Sequence, residues 1–241
     1  HGIPKFYVLA KTFLFIFLIL SCEFHHFLFL CGLHFLSASL HSISKTGFSE
    51  IMHRKLKNNE LGRLTAEEFK QAGKIGVTVV LDNIRSQHNI GAAFRTSDSF
   101  LIEKIVLCGC CATPPTAEIH KSALGAEFSV DWEYIKETTH AVSALKDAGY
   151  TIVSIEQAEN SIKLQDLGPD NLLAPGNVDK LSGRRYALVF GNEVKGVQQE
   201  VVDMSDAVIE IPQFGTKHSL NISVSLGIVL WEFCKRLKIQ G

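Results

Sequence analysis

From residue 77 onward, short runs of β-branched and aliphatic residues alternate with stretches whose apolar positions return every three to four residues. Val77-Thr78-Val79-Val80-Leu81 is apolar almost without interruption, the pattern of a parallel strand buried on both faces. Further strands are predicted over 104–108, closed by Gly109 and the Pro114-Pro115 loop, and over 129–132, 150–155, 186–190 and 208–211. Helices are predicted over 90–100, following a loop from Asp82 to Asn89, over 117–124, over 139–148 with Gly149 as its stop, and over 220–237. Thr65 is placed to cap a shorter helix that begins Ala66-Glu67-Glu68. A polar excursion through Pro169 and Pro175 separates the fourth and fifth strands. Strand and helix in alternation predict an α/β domain built on a mostly parallel sheet.

Residues 1–51 break this pattern. They contain the eight-residue run from Phe13 to Leu20, then Cys22, His25, His26, Cys31 and His34 in a Phe/Leu/His/Ser-rich mixture, and the first methionine is Met52. A signal anchor flanked by Lys5 and Lys11 is one explanation; translated sequence upstream of the true start is the other. The run is short for a membrane span and Glu23, His25 and His26 interrupt its extension, which favours the second. The expected organisation is an extraneous apolar segment over 1–51, a basic helical extension over 52–76 opened by His53-Arg54-Lys55-Leu56-Lys57, and one α/β domain over 77–241. No membrane partner is expected.

With 241 residues, 46% of them hydrophobic, the chain can bury a full core. Its net charge of −1, or −2 counted from Met52, exerts no global pull on nucleic acid, so an RNA site would need a local basic patch. Six cysteines in no regular framework suggest a reducing, cytoplasmic setting.

Three stretches carry candidate chemistry. Asn89-Ile90-Gly91-Ala92-Ala93-Phe94-Arg95-Thr96 is a strand-to-helix turn with a glycine and an arginine. Phe190-Gly191-Asn192-Glu193-Val194-Lys195-Gly196 is a strand running into a tight glycine turn. Ile211-Pro212, followed by Ser219-Leu220-Asn221-Ile222-Ser223, is a loop entering an apolar helix. Such strand ends are where α/β sheets bind ligands. In order, spacing and wording the three stretches resemble motifs one, two and three of the SpoU (TrmH) family of RNA ribose methyltransferases, in the SPOUT superfamily, over roughly 77–236.

The resemblance implies what periodicity cannot show: a Rossmann-like sheet whose C-terminal segment is tied into a deep trefoil knot, S-adenosylmethionine held by the knot loops, and a homodimer whose active sites draw on both subunits. It implies cofactor contacts at Leu188, Gly191, Gly196, Ile211, Ser219 and Leu220, with Gly191 leaving room for the adenosine. It makes Arg95 the catalytic residue on the ribose 2′-hydroxyl. Arginine is effectively never deprotonated, so Arg95 would grip the neighbouring phosphate and stabilise developing alkoxide charge; a surface bridge to Asp98 is the structural alternative. Asn89 and Asn221 can tie the loops together or orient RNA. Glu193 is balanced between structural pairing and catalysis, and Ser219 between capping the last helix and touching substrate.

Other features weigh less. Cys108, Cys110 and Cys111 lack a second pair at zinc-ligand spacing, so no metal is expected. His88 and His120 flank the presumed RNA face, where polar loop positions are the simpler reading. Lys121-Ser122 with Gly125-Ala126 matches a minor family feature, and Leu101 stands where many members have glycine. The expected activity is 2′-O-ribose methylation of tRNA or rRNA. The rivals are an RNA-binding SPOUT protein without methyltransferase activity and an NAD enzyme, the latter weakened by the absence of Gly-x-Gly-x-x-Gly after the first strand.

Overall fold

The continuous apolar run at Val77 becomes an interior strand of an all-parallel sheet. In a computed structural model of the protein, residues 53–168 and 185–238 are described. The strands are β1 (Val77–Asp82), β2 (Lys104–Cys108), β3 (Asp131–Ile135), β4 (Tyr150–Ile155), β5 (Ile162–Lys163), β6 (Arg185–Phe190) and β7 (Ala207–Glu210), in the order β3-β2-β1-β6-β4-β7-β5. Every pairing is parallel. The helices are α1 (Ala66–Gln71), α2 (Gln87–Ser99), α3 (Ala117–Ala123), α4 (Ala126–Ser129), α5 (Thr138–Asp147), α6 (Gln199–Met204) and α7 (Ile222–Lys238).

Alternate residues of the central strands feed two cores, because successive side chains leave a strand on opposite faces. Val77, Val79 and Leu81 pack with Ile90, Phe94, Leu226 and Phe233, under α2 and α7; Val80, Val106 and Val189 pack with Ala141, Val142 and Val201, under α5 and α6. All six residues of β1 are buried, which explains why the run does not alternate. The Tyr186 and Phe233 rings meet edge to face at 5.4 Å and fix α7 to the sheet.

The chain separates into two units, 1–62 and 63–241. In the first, Arg54 reaches Glu60 at 3.0 Å and Glu60 also accepts the Lys57 N–H at 2.6 Å, closing a 3-10 turn over Asn58–Glu60. In the second, Thr65 caps α1 as its position predicts, accepting the Glu68 N–H at 3.2 Å while Glu68 returns to the Thr65 N–H at 2.8 Å.

Some expected boundaries move. The third strand runs over Asp131–Ile135, not 129–132, because Ala126–Ser129 closes a helical turn first. Helix α2 starts three residues before Ile90, where the Ser86 hydroxyl accepts the Asn89 N–H at 3.3 Å. Strand β5 and helix α6 have no counterpart in the pattern analysis; each is too short to show a period. The segments 1–52, 169–184 and 239–241, with the expectations placed on them, lie outside the described residues. Among the described residues no helix is long and apolar enough to cross a membrane.

Candidate active site

Parallel strands end on one side of a sheet, so the segments after β1, β6 and β7 share one edge. Side chains join them. Asn89 Nδ2 donates to Glu193 Oε1 at 3.0 Å, and Asn221 Nδ2 donates to Asn89 Oδ1 at 3.3 Å, linking one residue from each of the three motifs. Asn221 also fixes the start of α7: its Oδ1 accepts the Ser223 N–H at 2.8 Å and the Ser223 hydroxyl at 2.6 Å. The cap is therefore Asn221 and not Ser219, which lies too far before the first turn.

Motif two is a rigid turn. Asn192 and Gly196 exchange both backbone hydrogen bonds, at 3.0 and 2.8 Å. The Asn192 side chain accepts from the Val194 and Lys195 N–H groups and donates to the Asn83 carbonyl at 2.7 Å, tying the turn to the end of β1. Asp82, fully buried, holds the turn's exit. Its carboxylate accepts the Gln198 N–H at 2.9 Å, Gln198 Nε2 at 2.7 Å, the Thr138 hydroxyl at 2.6 Å and Asn83 Nδ2 at 2.9 Å. Four donors are what a buried carboxylate needs to offset its desolvation.

Gly191 is demanded by packing as well as by its place on the site. A Cβ there would stand 2.0 Å from Val197 N and 2.1 Å from the Gly196 carbonyl carbon, so the glycine admits the chain's own backbone. Gly91 likewise serves packing: a Cβ would meet Ser122 Oγ at 2.1 Å and the Ile119 carbonyl oxygen at 2.4 Å, where α2 crosses α3.

Beside these loops lies a cavity of about 370 Å³. Gly191, Gly196, Ile211, Ser219 and Leu220 line it, and so does Glu193. Leu188 is not among them; as an interior residue of β6 it is fully buried in the core. Arg95 is exposed on α2 and is not part of the wall. The alternative bridge to Asp98 is not formed: Asp98 accepts the Ser129 hydroxyl instead, and no side-chain partner of Arg95 occurs among the described residues.

Sequence reasoning passed over several wall residues, Glu156, Gln157 and His218 among them. Glu156 follows β4 and accepts the Val197 N–H at 2.9 Å; its carboxylate fills the space a Cβ on Gly196 would need. Gln157 Nε2 donates to the His218 carbonyl at 2.7 Å, and His218 also lines the cavity. The signal that could have found Glu156 and Gln157 is position, immediately after a strand of a parallel sheet.

The remaining candidates disperse. His88 is exposed. His120 pairs with the buried carboxylate of Glu127. Cys108 and Cys111 enter opposite cores, one on each face of the sheet. Burial pushes the Cys108 thiol up to about 12 and the Cys111 thiol up to about 11. Leu101, where the family pattern favours glycine, adopts a left-handed φ of 53° and packs its side chain against the core.

A motif set drawn from three distant parts of the sequence and joined side chain to side chain is matched by the family comparison, in which the SpoU rRNA Methylase family model covers residues 76–231. The chain belongs to the SpoU family. It is 30% identical over 166 residues to the tRNA (guanosine(18)-2'-O)-methyltransferase of Aquifex aeolicus, covering 68% of this chain and 71% of that protein. It is 30% identical over 155 residues to the 23S rRNA (guanosine-2'-O-)-methyltransferase RlmB of Nitrosomonas europaea, covering 64% of this chain but 54% of that one. Among solved structures, the TrmH/SpoU tRNA modifying enzyme of A. aeolicus superposes with a TM-score of 0.59 at 24% identity, over 73% of this chain and 82% of its own. The AdoMet-bound rRNA methyltransferase of Sinorhizobium meliloti gives 0.58 at 24%, over 70% and 59%. These likenesses establish the SpoU α/β fold, seven parallel strands included.

Proposed function

We propose that this SpoU protein is an S-adenosylmethionine-dependent methyltransferase acting on a ribose 2′-hydroxyl of tRNA or rRNA. The observation that carries the proposal is the Glu193–Asn89–Asn221 chain of hydrogen bonds, which gathers three motifs at the wall of one cavity. The cavity suits the cofactor. Its volume is in the range of small-molecule sites, Ile155, Phe190, Ile211 and Leu220 offer apolar surface to an adenine, and Glu156, Glu193 and Glu210 against Lys195 suit a cationic ligand. When bound, S-adenosylmethionine supplies a methyl group activated by its sulfonium. The backbone of 191–196 and Ile211 would hold it. Arg95, exposed and without a side-chain partner among the described residues, is free to bind the phosphate beside the acceptor ribose and to stabilise the 2′-oxygen as its proton leaves, with the phosphate as acceptor.

The trefoil knot belongs to this proposal. What supports it is the close approach of Gly191 to residues 196 and 197, together with the return of the chain after β7 to bond Asn221 to Asn89. So does the homodimer. Val224, Ile228 and Trp231 recur along α7 at helical spacing and are 49%, 37% and 54% exposed, an apolar stripe wanting a partner. A second copy would also bring one protomer's exposed arginine to the other's cavity. The free thiols of Cys108, Cys110, Cys111 and Cys234 suit the cytoplasm.

The test is transfer of labelled methyl groups from S-adenosylmethionine to total tRNA and rRNA, with the product located by its resistance to alkaline cleavage. Label confined to one or few 2′-positions is expected. Folded protein that binds neither cofactor nor its demethylated product overturns the proposal, and RNA binding without cofactor binding would mark a SPOUT protein that only binds RNA.

A further inference from the structure

The loop between Ile211 and α7 contains a feature that cofactor binding leaves unused. Phe214 is 96% exposed, although Gln213 on one side and His218 on the other both line the cavity. Burying a phenylalanine is favourable, so one held in water beside a ligand site forgoes that gain until something covers it. Exposed lysines lie in the same loop and on the cavity wall, which also carries Glu193 and Glu210. Lys217 follows three residues later, Lys195 belongs to the facing motif-two wall, both are exposed, and neither has an ion-pair partner among the described residues. The loop is anchored at its far end by Gln157 Nε2 on the His218 carbonyl, 2.7 Å, so Phe214 is presented by a tethered loop. An aromatic face flanked by lysines is the combination that holds an unpaired nucleotide, base on ring and phosphate on ammonium.

We infer that Phe214 is the stacking platform for an unpaired base of the RNA, next to or at the methylated nucleotide, so that the substrate site is a loop or single strand and not a continuous helix. This rests on the proposed RNA methyltransferase function and names its substrate class. In A-form RNA the 2′-hydroxyls face a shallow, open groove, and a helix could be approached without unstacking anything; a protruding phenylalanine has no use there. A base splayed onto Phe214 would cover the ring, and Lys217 or Lys195 would take the adjoining phosphate.

The experiment uses the full chain, its Phe214→Ala and Phe214→Trp variants, and a short unstructured oligoribonucleotide carrying one 2-aminopurine, alone and annealed to its complement. Wild type and Phe214→Trp should quench the single strand and bind it more tightly than the duplex; Phe214→Ala should bind the single strand about 5- to 150-fold more weakly, the range for loss of one base–aromatic stack. S-adenosylmethionine affinity, measured by calorimetry on the same samples, should be equal for all three. Equal single-strand affinity of wild type and Phe214→Ala, preference for duplex, or no RNA binding by the wild type overturns the inference. A change of oligomeric state in Phe214→Ala does so too, since the ring would then be covered by a second copy. Failure of every sample to bind S-adenosylmethionine strikes instead at the methyltransferase proposal itself.

Discussion

Replacing Gly191 by alanine should damage fold and cofactor site together, and the size of the damage follows from the backbone it would strike. The added Cβ would lie 2.0 Å from Val197 N, 2.1 Å from the Gly196 carbonyl carbon and 2.4 Å from its oxygen, against an ordinary contact of 3.4 Å or more. One of the two strands of chain must therefore move by about 1.4 Å, and no flexible side-chain end is available to absorb the shift. That movement strains the Val197–Glu156 bond of 2.9 Å and the paired Asn192–Gly196 bonds of 3.0 and 2.8 Å. Overpacking alone costs about 1–3 kcal/mol, and weakened hydrogen bonds put the expected loss near the top of that range, about 3 kcal/mol. Because residues 191–196 are cavity wall, S-adenosylmethionine affinity should fall by at least about tenfold, or ~1.4 kcal/mol. Urea unfolding measures the first quantity and calorimetry the second. Gly73→Ala is the control: the site is open, its φ is ordinary, and the change should stay within about 0.5 kcal/mol. Were Gly191→Ala to unfold at the control's midpoint and keep its cofactor affinity, the close crossing of residues 191 and 196–197 could not exist.

Other expectations concern the groups around this crossing. Asp82→Asn turns an acceptor into a donor facing the Gln198 N–H or side chain, and should cost about 1–3 kcal/mol in urea unfolding while weakening cofactor binding; unchanged binding would separate the β1 end from the site. Arg95→Ala, at an exposed position off the cavity wall, should leave stability and cofactor affinity almost untouched but slow single-turnover methyl transfer by about 100-fold or more, with little rescue by lysine; a normal chemical step with weakened cofactor binding would refute the role. Cys108 and Cys111 have thiol pKa values raised by burial, to about 12 and about 11, so they favour the fold fully below the unfolded thiol's pKa near 8.5. As pH climbs from there towards 11 to 12, ionisation of the unfolded chain should lower stability by up to ~1.4 kcal/mol per pH unit per thiol, and Cys108→Ala with Cys111→Ala should flatten that alkaline slope. Trp231→Glu should convert a dimer to monomers in sedimentation equilibrium; a monomeric wild type would remove the α7 stripe as an interface.

Elements whose residues all point to one environment were legible from the pattern. β1, β2, β4 and β6 are buried on both faces and their β-branched runs say so, and the Thr65 cap is written in the residues that make it. β3 was misplaced because its residues are exposed or half-exposed at the sheet edge, so Trp132 and Tyr134 carry no burial pattern, while Val130, the apolar residue that drew the strand too early, ends α4. The site divides the same way. Gly191, Ile211 and Leu220 could be placed by their motifs, but the packing demand on Gly191 could not, since the clash it avoids is with residues 196 and 197, which local sequence does not bring back onto it. Glu156 and Asp82 were invisible because each acts on backbone N–H groups far along the chain, at Val197 and Gln198, and backbone donors leave no trace in residue type.

Helix geometry separates the two tasks of the site. Asn89 and Arg95 are six residues apart on α2, which at 100° and 1.5 Å per residue places them about 9 Å apart along the axis and roughly 120° apart around it. Asn89 is committed to Glu193 and Asn221, so it faces the motif junction; Ile90, Gly91, Ala93, Phe94 and Ser97 are committed to the core. Arg95 is left on the exposed face, in line with His88 one heptad earlier, and cannot turn to the wall that Asn89 reaches without unwinding the helix. The cation that would meet RNA is thereby held apart from its own protomer's carboxylate-rich wall, where Glu156, Glu193 and Glu210 would otherwise pair with it. This is why the effects of Gly191→Ala and Arg95→Ala should be separable at all. The first acts through the loop that shapes the cavity, and the second removes a charge that this protomer's cavity never touches.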